Sequence, residues 1–279
     1  MYAHPLSSPT IAAPAMRSLR ALFVSTTTTD FKELLRIADA LAARGHDCAF
    51  GFTYENRTDL WELETFRARA RVNGHTTVAL GGETRHQGWR RRFLSLLDLA
   101  VAALPQAARD FVHAVRSARQ RKRAVAALAR ERSIALAVLA LDMPAYDSAA
   151  LIAAVKAQGG RVAIVSTMMS AGADQVTIKV DVPDAQVDGV AKRLFAALFP
   201  CWIADFRGKR LLPIPWGRAL ALETMGLAPR QPWITNSGHA DALYVESEGM
   251  AQFYRDAGYA GPGLIVAGAP ADDVLARAR

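Results

Sequence analysis

The sequence predicts an α/β fold built on a mainly parallel sheet with helices on both faces. Three features predict it. A strand–helix–strand unit opens the chain, the same grammar returns in its middle, and a strand, a helix and a last short strand close it. The apolar runs assigned to strands are short and continuous rather than alternating, as in strands buried on both sides. With 279 residues the chain is long enough for one large domain or two small ones at about 150 residues each.

Leu19–Ser25 (LRALFVS) is the first such run, followed by the loop Thr26–Thr29 and a helical pattern in which Phe31, Leu34, Leu35, Ala38 and Leu41 share a face. Asp30 is positioned to cap this helix with Glu33 completing a capping box, and Gly45 ends it. His46–Phe52 is the second strand. A mostly helical stretch follows from about Gly88 to Arg132, broken near Pro105. The second unit comprises Ile134–Leu141 (strand), Asp147–Gln158 (helix), the stop Gly159-Gly160 and Arg161–Ser166 (strand). Residues 170–235 are the least regular part. They carry six prolines and Trp202, Trp216 and Trp233, interrupted by an amphipathic helix over Val187–Leu198. Such a segment serves either as packing or as an excursion at the ligand-binding edge of the sheet. Ala242–Glu246, Glu248–Ala257 and Leu264–Ala267 complete the pattern as strand, helix and strand.

Composition excludes several classes. Hydrophobic residues make up 51% and charged residues 22%, which fits a globular chain and neither a disordered nor a polytopic membrane protein. The net charge of +8 permits an anionic partner. Cys48 and Cys201 stand far apart without metal-ligand spacing, so no metal site and no disulfide framework is expected, and a reducing, cytoplasmic compartment is the simplest reading. Residues 1–18 lack the basic and apolar regions of a secretory signal and read as a disordered tail.

The turn after the first strand, Ser25-Thr-Thr-Thr-Thr-Asp30, has no glycine, which disfavours a dinucleotide enzyme, and neither a G-x-x-x-x-G-K-[ST] nor a G-x-S-x-G motif occurs. No cofactor is implied. Thr26, Thr27 and Thr28 nonetheless offer hydroxyls and backbone N–H groups at a helix start, suited to sugar hydroxyls or a phosphate. Asp142 follows the strand Ile134–Leu141, where α/β folds place a ligand crevice, and is the carboxylate most suited to act as a base; Asp147 starts the next helix as its cap. His239 is a packed residue or a second candidate base, and Asp30 a third if its carboxylate faces the cleft. Of Glu246, Ser247 and Glu248 one must cap the helix that follows, leaving Glu246 and Ser247 as candidate substrate contacts.

The opening strand, the helix ending Ala-Arg-Gly-His46, the phrase Ala240-Asp-Ala-Leu-Tyr-Val-Glu-Ser-Glu248 and the closing Val266-Ala-Gly-Ala-Pro270 resemble the N-terminal domain of GT-B glycosyltransferases. The nearest flavour is that of bacterial surface-polysaccharide transferases, glycerophosphotransferases and nucleotide-sugar 2-epimerases. The resemblance implies a Rossmann-like domain over residues 19–270 that handles the acceptor, with a helical insertion at about 88–132. Residues 271–279 would begin the linker to an absent donor domain. It further implies a nucleotide-activated sugar, a separate donor-binding domain or subunit, and a glycan or lipid-linked acceptor in cell-surface glycan synthesis. An epimerase-like isomerase and a noncatalytic scaffold domain are the alternatives.

Twelve basic residues fall between Arg85 and Arg132 against three acidic ones. Arg90, Arg91 and Arg92 precede an apolar helical stripe that includes Trp89, Phe93 and Leu97, a pattern that fits either an interfacial helix touching an anionic inner membrane surface or a solvated helix with its stripe in the core. A nucleic-acid partner ranks third, for want of a recognised motif.

Overall fold

The computed structural model describes residues 18–26, 28–53, 60–80, 101–166 and 173–269. The expected tail lies outside them except for Ser18, whose hydroxyl donates to the Gly45 carbonyl (2.8 Å). The expected linker, residues 271–279, lies outside them too, as do Arg90, Arg91 and Arg92.

The described chain runs β1 (Arg20–Ser25), α1 (Thr28–Ala42), β2 (Asp47–Phe52), α2 (Leu60–Val72), β3 (Thr76–Val78), α3 (Gln106–Glu131), β4 (Leu136–Leu139), α4 (Ser148–Lys156) and β5 (Arg161–Val165). An excursion follows: α5 (Ala173–Lys179), α6 (Gly189–Leu198), the antiparallel hairpin β6 (Ala204–Phe206) and β7 (Lys209–Leu211), then α7 (Trp216–Thr224). The chain closes with β8 (Ala242–Val245), α8 (Glu248–Asp256) and β9 (Gly263–Val266).

Seven strands form one sheet in the order β3-β2-β1-β4-β5-β8-β9, and every neighbouring pair is parallel. The chain steps outward from β1 to β3, returns through α3, and steps outward again from β4 on the other side of β1. Helix α3 is therefore the crossover between the two halves of the sheet. It begins directly after Pro105, which lacks the N–H that a helix start leaves unpaired.

Alternation along the strands assigns each side chain to a face. Ala21 and Phe23 of β1, Cys48, Phe50 and Phe52 of β2 and Val138 of β4 pack with Phe31, Leu34 and Ala38 of α1. Leu22, Val24, Ala137, Leu139, Val162, Ile164 and Leu243 face the other way, onto Val125 of α3, Leu151 and Ile152 of α4 and Met250 and Tyr254 of α8. The expected two-faced arrangement is thus present. Gly45, with φ of 84°, turns the chain after α1 in the left-handed conformation that a side chain would disfavour.

In the excursion, Trp202 is fully buried and its indole N–H donates to Glu223 (2.5 Å), while the Trp233 indole donates to the Trp202 carbonyl (3.0 Å). Both rings serve packing rather than an open edge. Asp147 stands at the cap position of α4 as expected, but its carboxylate makes no cap bond. It accepts from Ser117 and lies 3.8 Å from Arg121 and 3.6 Å from Arg218, tying α3, α4 and α7 together.

Candidate functional site

Because all seven strands are parallel, the residues that follow them gather at one edge of the sheet. The strand order reverses between β1 and β4, and in open α/β sheets the crevice outside that reversal is where ligands bind. Register pairs Val24 with Leu139, so Ser25 and Thr26 on one side and Asp142 on the other leave the sheet at the same edge. Thr53, after β2, reaches across β1 and donates its hydroxyl to that of Thr26 (3.1 Å).

Buried polar groups concentrate here. Asp142, Ser148, Ser166, Thr235, Asn236 and Ser237 are all buried, as are Ser25 and Asp30. Their centre is Asn236. Its backbone N–H donates to the Asp142 carbonyl (2.8 Å), and its side-chain oxygen accepts from the Asp142 N–H (2.7 Å). Its amide nitrogen donates to Ser166 and to the Tyr254 hydroxyl (3.1 Å each), and its carbonyl accepts from Tyr259 (3.1 Å). Every donor and acceptor of the residue is used, in a left-handed conformation (φ 66°) that asparagine tolerates better than most side chains. A single side chain thereby joins the ends of β4 and β5 to α8.

Asp142 itself is 6% exposed. Ser148, the first residue of α4, donates to its Oδ1 (2.6 Å), whereas Oδ2 has no hydrogen-bond partner among the described residues and faces Gly238. A Cβ at position 238 would stand 1.9 Å from that oxygen, so glycine is required for the close approach. Burial pushes the Asp142 carboxyl above the usual carboxylate range, and the Ser148 bond and the nearby His239 ring offset only part of this. A carboxyl so placed is a stronger base than an exposed aspartate once ionised.

His239 approaches from the segment before β8. Its Nε2 lies 2.8 Å from the Ala228 carbonyl, and since a carbonyl can only accept, Nε2 carries the proton and Nδ1 is the basic nitrogen. Lys156 holds the segment by donating to the His239 carbonyl (2.9 Å).

The other sequence candidates divide. Thr26 is half-buried at the crevice; Thr27 lies outside the described residues, as does the side chain of Thr28, the first residue of α1. The helix starts two residues before Asp30, which sits buried in its first turn instead of at the cap. Glu33 closes no capping box, because its Oε1 accepts from Arg36 (2.6 Å). Glu246 is exposed at the end of β8, and Ser247 is the residue that caps α8, accepting from the Met250 N–H (3.2 Å). Thr26 and Asp142 share the edge, but the Asp142 carboxyl is buried against Gly238 in the segment leading to His239.

Sequence reasoning assigned no role to Asn236, Ser148, Ser166, Tyr254 or Tyr259. The phrase Asn236-Ser-Gly offered a turn signal, but nothing in it names a partner 94 residues away.

The doubly wound, Rossmann-like class of this α/β chain is defined by the sheet order and the switch between β1 and β4. No family model and no curated protein sequence matches the chain. Solved structures that are similar to it include the calicheamicin glycosyltransferase CalG4, at 13% identity and a TM-score of 0.41 over 82% of this chain and 48% of that one. UGT2 of Phytolacca americana, complexed with UDP-2fluoro-glucose and pterostilbene, is 9% identical with a TM-score of 0.44 over 91% and 54%. TcCGT1 in complex with UDP is 13% identical with a TM-score of 0.44 over 91% and 51%. The chain spans about half the length of these solved structures. Among the described residues no helix is long and apolar enough to cross a membrane.

Proposed function

We propose that this chain is the acceptor-side half of a GT-B glycosyltransferase, acting with a separate donor-binding domain or subunit that supplies a nucleotide-activated sugar. The observation that carries the reading is the concentration of buried polar groups at the switch-point edge of a parallel sheet whose first turn lacks a dinucleotide fingerprint. The sequence resemblance to GT-B acceptor domains supports the same reading, and with it a role in cell-surface glycan synthesis at the inner face of the membrane. Arg90, Arg91 and Arg92 are the proposed membrane contacts.

Transfer requires a base for the acceptor hydroxyl. Asp142 is the first choice, because one of its oxygens is uncommitted and its basicity is raised by burial. Deprotonation through Oδ2 requires the segment around Gly238 to draw back as the acceptor binds. His239, through Nδ1, is next, and Asp30 follows. Thr26, Thr27 and Thr28, with Glu246, are proposed to contact the substrates, Ser247 being committed to the α8 cap.

The test is an assay of the isolated chain against UDP-, GDP-, CMP- and CDP-linked sugars. No turnover is expected until a donor domain is added, and Asp142→Asn should then abolish transfer while keeping the fold. Tight donor binding with turnover by the chain alone would refute the half-enzyme reading. The coverage of Asp142 favours a second reading, a noncatalytic binding domain. Asp142→Asn would leave partner binding unchanged in that case.

A further inference from the structure

Between α3, α7 and the loop that follows β4 lies a cavity of about 270 Å³. Its apolar walls are Ala114, Ala145, Ile214 and Pro215. Where α3 and α7 cross, a Cβ at Gly217 would lie 2.0 Å from the Ala107 carbonyl, so the two helices meet backbone to backbone.

Two opposite charges face this space without pairing with each other. Asp110 accepts from Gln106 through Oδ1 (2.8 Å) and makes no ion pair among the described residues, which leaves Oδ2 open. Arg218 donates its Nε to the Pro144 carbonyl (3.1 Å) and sets Nη2 3.6 Å from Asp147, which leaves the two N–H groups of Nη1. A third polar group of the lining, Ser117, is already spent on Asp147. His113 also borders the cavity, and its ring makes no hydrogen bond among the described residues, unlike those of His46, His75 and His239.

The lining holds one carboxylate, Asp110, and one guanidinium, Arg218, so neither an anion nor a cation alone answers both. What remains is a carboxylate and a guanidinium on one small apolar-walled space, each with unspent hydrogen-bonding capacity. A ligand that answers both carries a carboxylate and an ammonium together. The volume lies just below the range that holds drug-sized molecules and is far too small for a nucleotide sugar. We infer that this cavity binds a small zwitterion of the amino acid class, with its carboxylate on Arg218, its ammonium on Asp110 and its side chain against Ala114 and Ile214. Arg218 is suited to the first contact by its planar fork of donors.

The full chain, screened by melting temperature against the twenty common L-amino acids and titrated calorimetrically with each one that stabilises it, tests the inference. At least one should bind saturably, and the corresponding amine and the corresponding carboxylic acid, each lacking one charge, should bind at least about tenfold more weakly. Asp110→Asn, a partly exposed change that spares the fold, should weaken binding by about the same factor, as should Arg218→Lys. If Arg218→Lys unfolds through loss of its bond to Pro144, Asp110→Asn decides alone. No saturable binding by any amino acid, binding of D-glucose in their place, or full affinity in Asp110→Asn would each overturn it.

Discussion

The two wings of the sheet are held by different means. On the β1–β2–β3 side the packing is aromatic: Phe23 stacks on Phe50 (5.3 Å between centroids), Phe31 stacks on Phe66 (4.6 Å), and Phe31 meets Phe50 edge-on (5.5 Å). On the β4–β5–β8 side a buried asparagine links the strand ends through hydrogen bonds to Asp142, Ser166, Tyr254 and Tyr259. Apolar packing is non-directional and tolerates a change of shape, whereas a buried polar network is secure only while every member is satisfied. The second wing carries Asp142, whose buried carboxyl and backbone are held by directional partners, Ser148 on Oδ1 and the Asn236 side chain on its N–H.

Asn236→Ala is the sharpest way to expose the contrast. It strands the Asp142 N–H and leaves alanine in a left-handed conformation, so a loss of about 4 kcal/mol is expected in denaturant unfolding. Gly238→Ala follows. It drives a methyl into Asp142 Oδ2, with an expected cost of about 3 kcal/mol from overpacking in a site that cannot relax without breaking the network. On the aromatic wing, Phe50→Leu removes only part of a buried ring and should cost about 1.5 kcal/mol. A loss with Phe50→Leu equal to that with Asn236→Ala would break the comparison.

The same contrast decides what was legible in the sequence. The period-3.6 stripe of Phe31, Leu34, Leu35 and Ala38 and the continuous apolar runs of β1, β2, β4 and β5 carry their structure locally, and the strand–helix order then fixes a parallel sheet. Helix α2 and strand β3 carry little local signal, because Leu60–Val72 interleaves charged and apolar residues without a sharp stripe and β3 is only three residues long. Placement of Asp142 at the ligand edge was readable from its position after a strand. Its burial was not, because that depends on Gly238 and Asn236, which reach it only after the long excursion of α5 to α7 has folded back. Periodicity reports which face is apolar; it does not report which distant loop covers a polar group.

The smallest expected effect is a pH dependence in the acid range that centres on Asp142. The Asp142 carboxyl titrates higher in the folded protein than in the unfolded chain, chiefly because burial penalises its charged form. Between the ordinary aspartate value and the raised folded one, the folded state therefore holds a proton that the unfolded state has released. By linkage, this group's contribution to stability falls as pH rises through that window and is constant above it. Asp142→Asn removes the titration. Its amide oxygen still accepts from Ser148, while its NH₂ faces Gly238 without an acceptor, a fixed cost at every pH. The measurable quantity is the difference in unfolding free energy between the wild type and Asp142→Asn across the acid range. Wild type should lose its advantage progressively as pH rises from the ordinary aspartate value, and a difference that stays flat would show that Asp142 ionises in the folded protein as freely as in the unfolded chain.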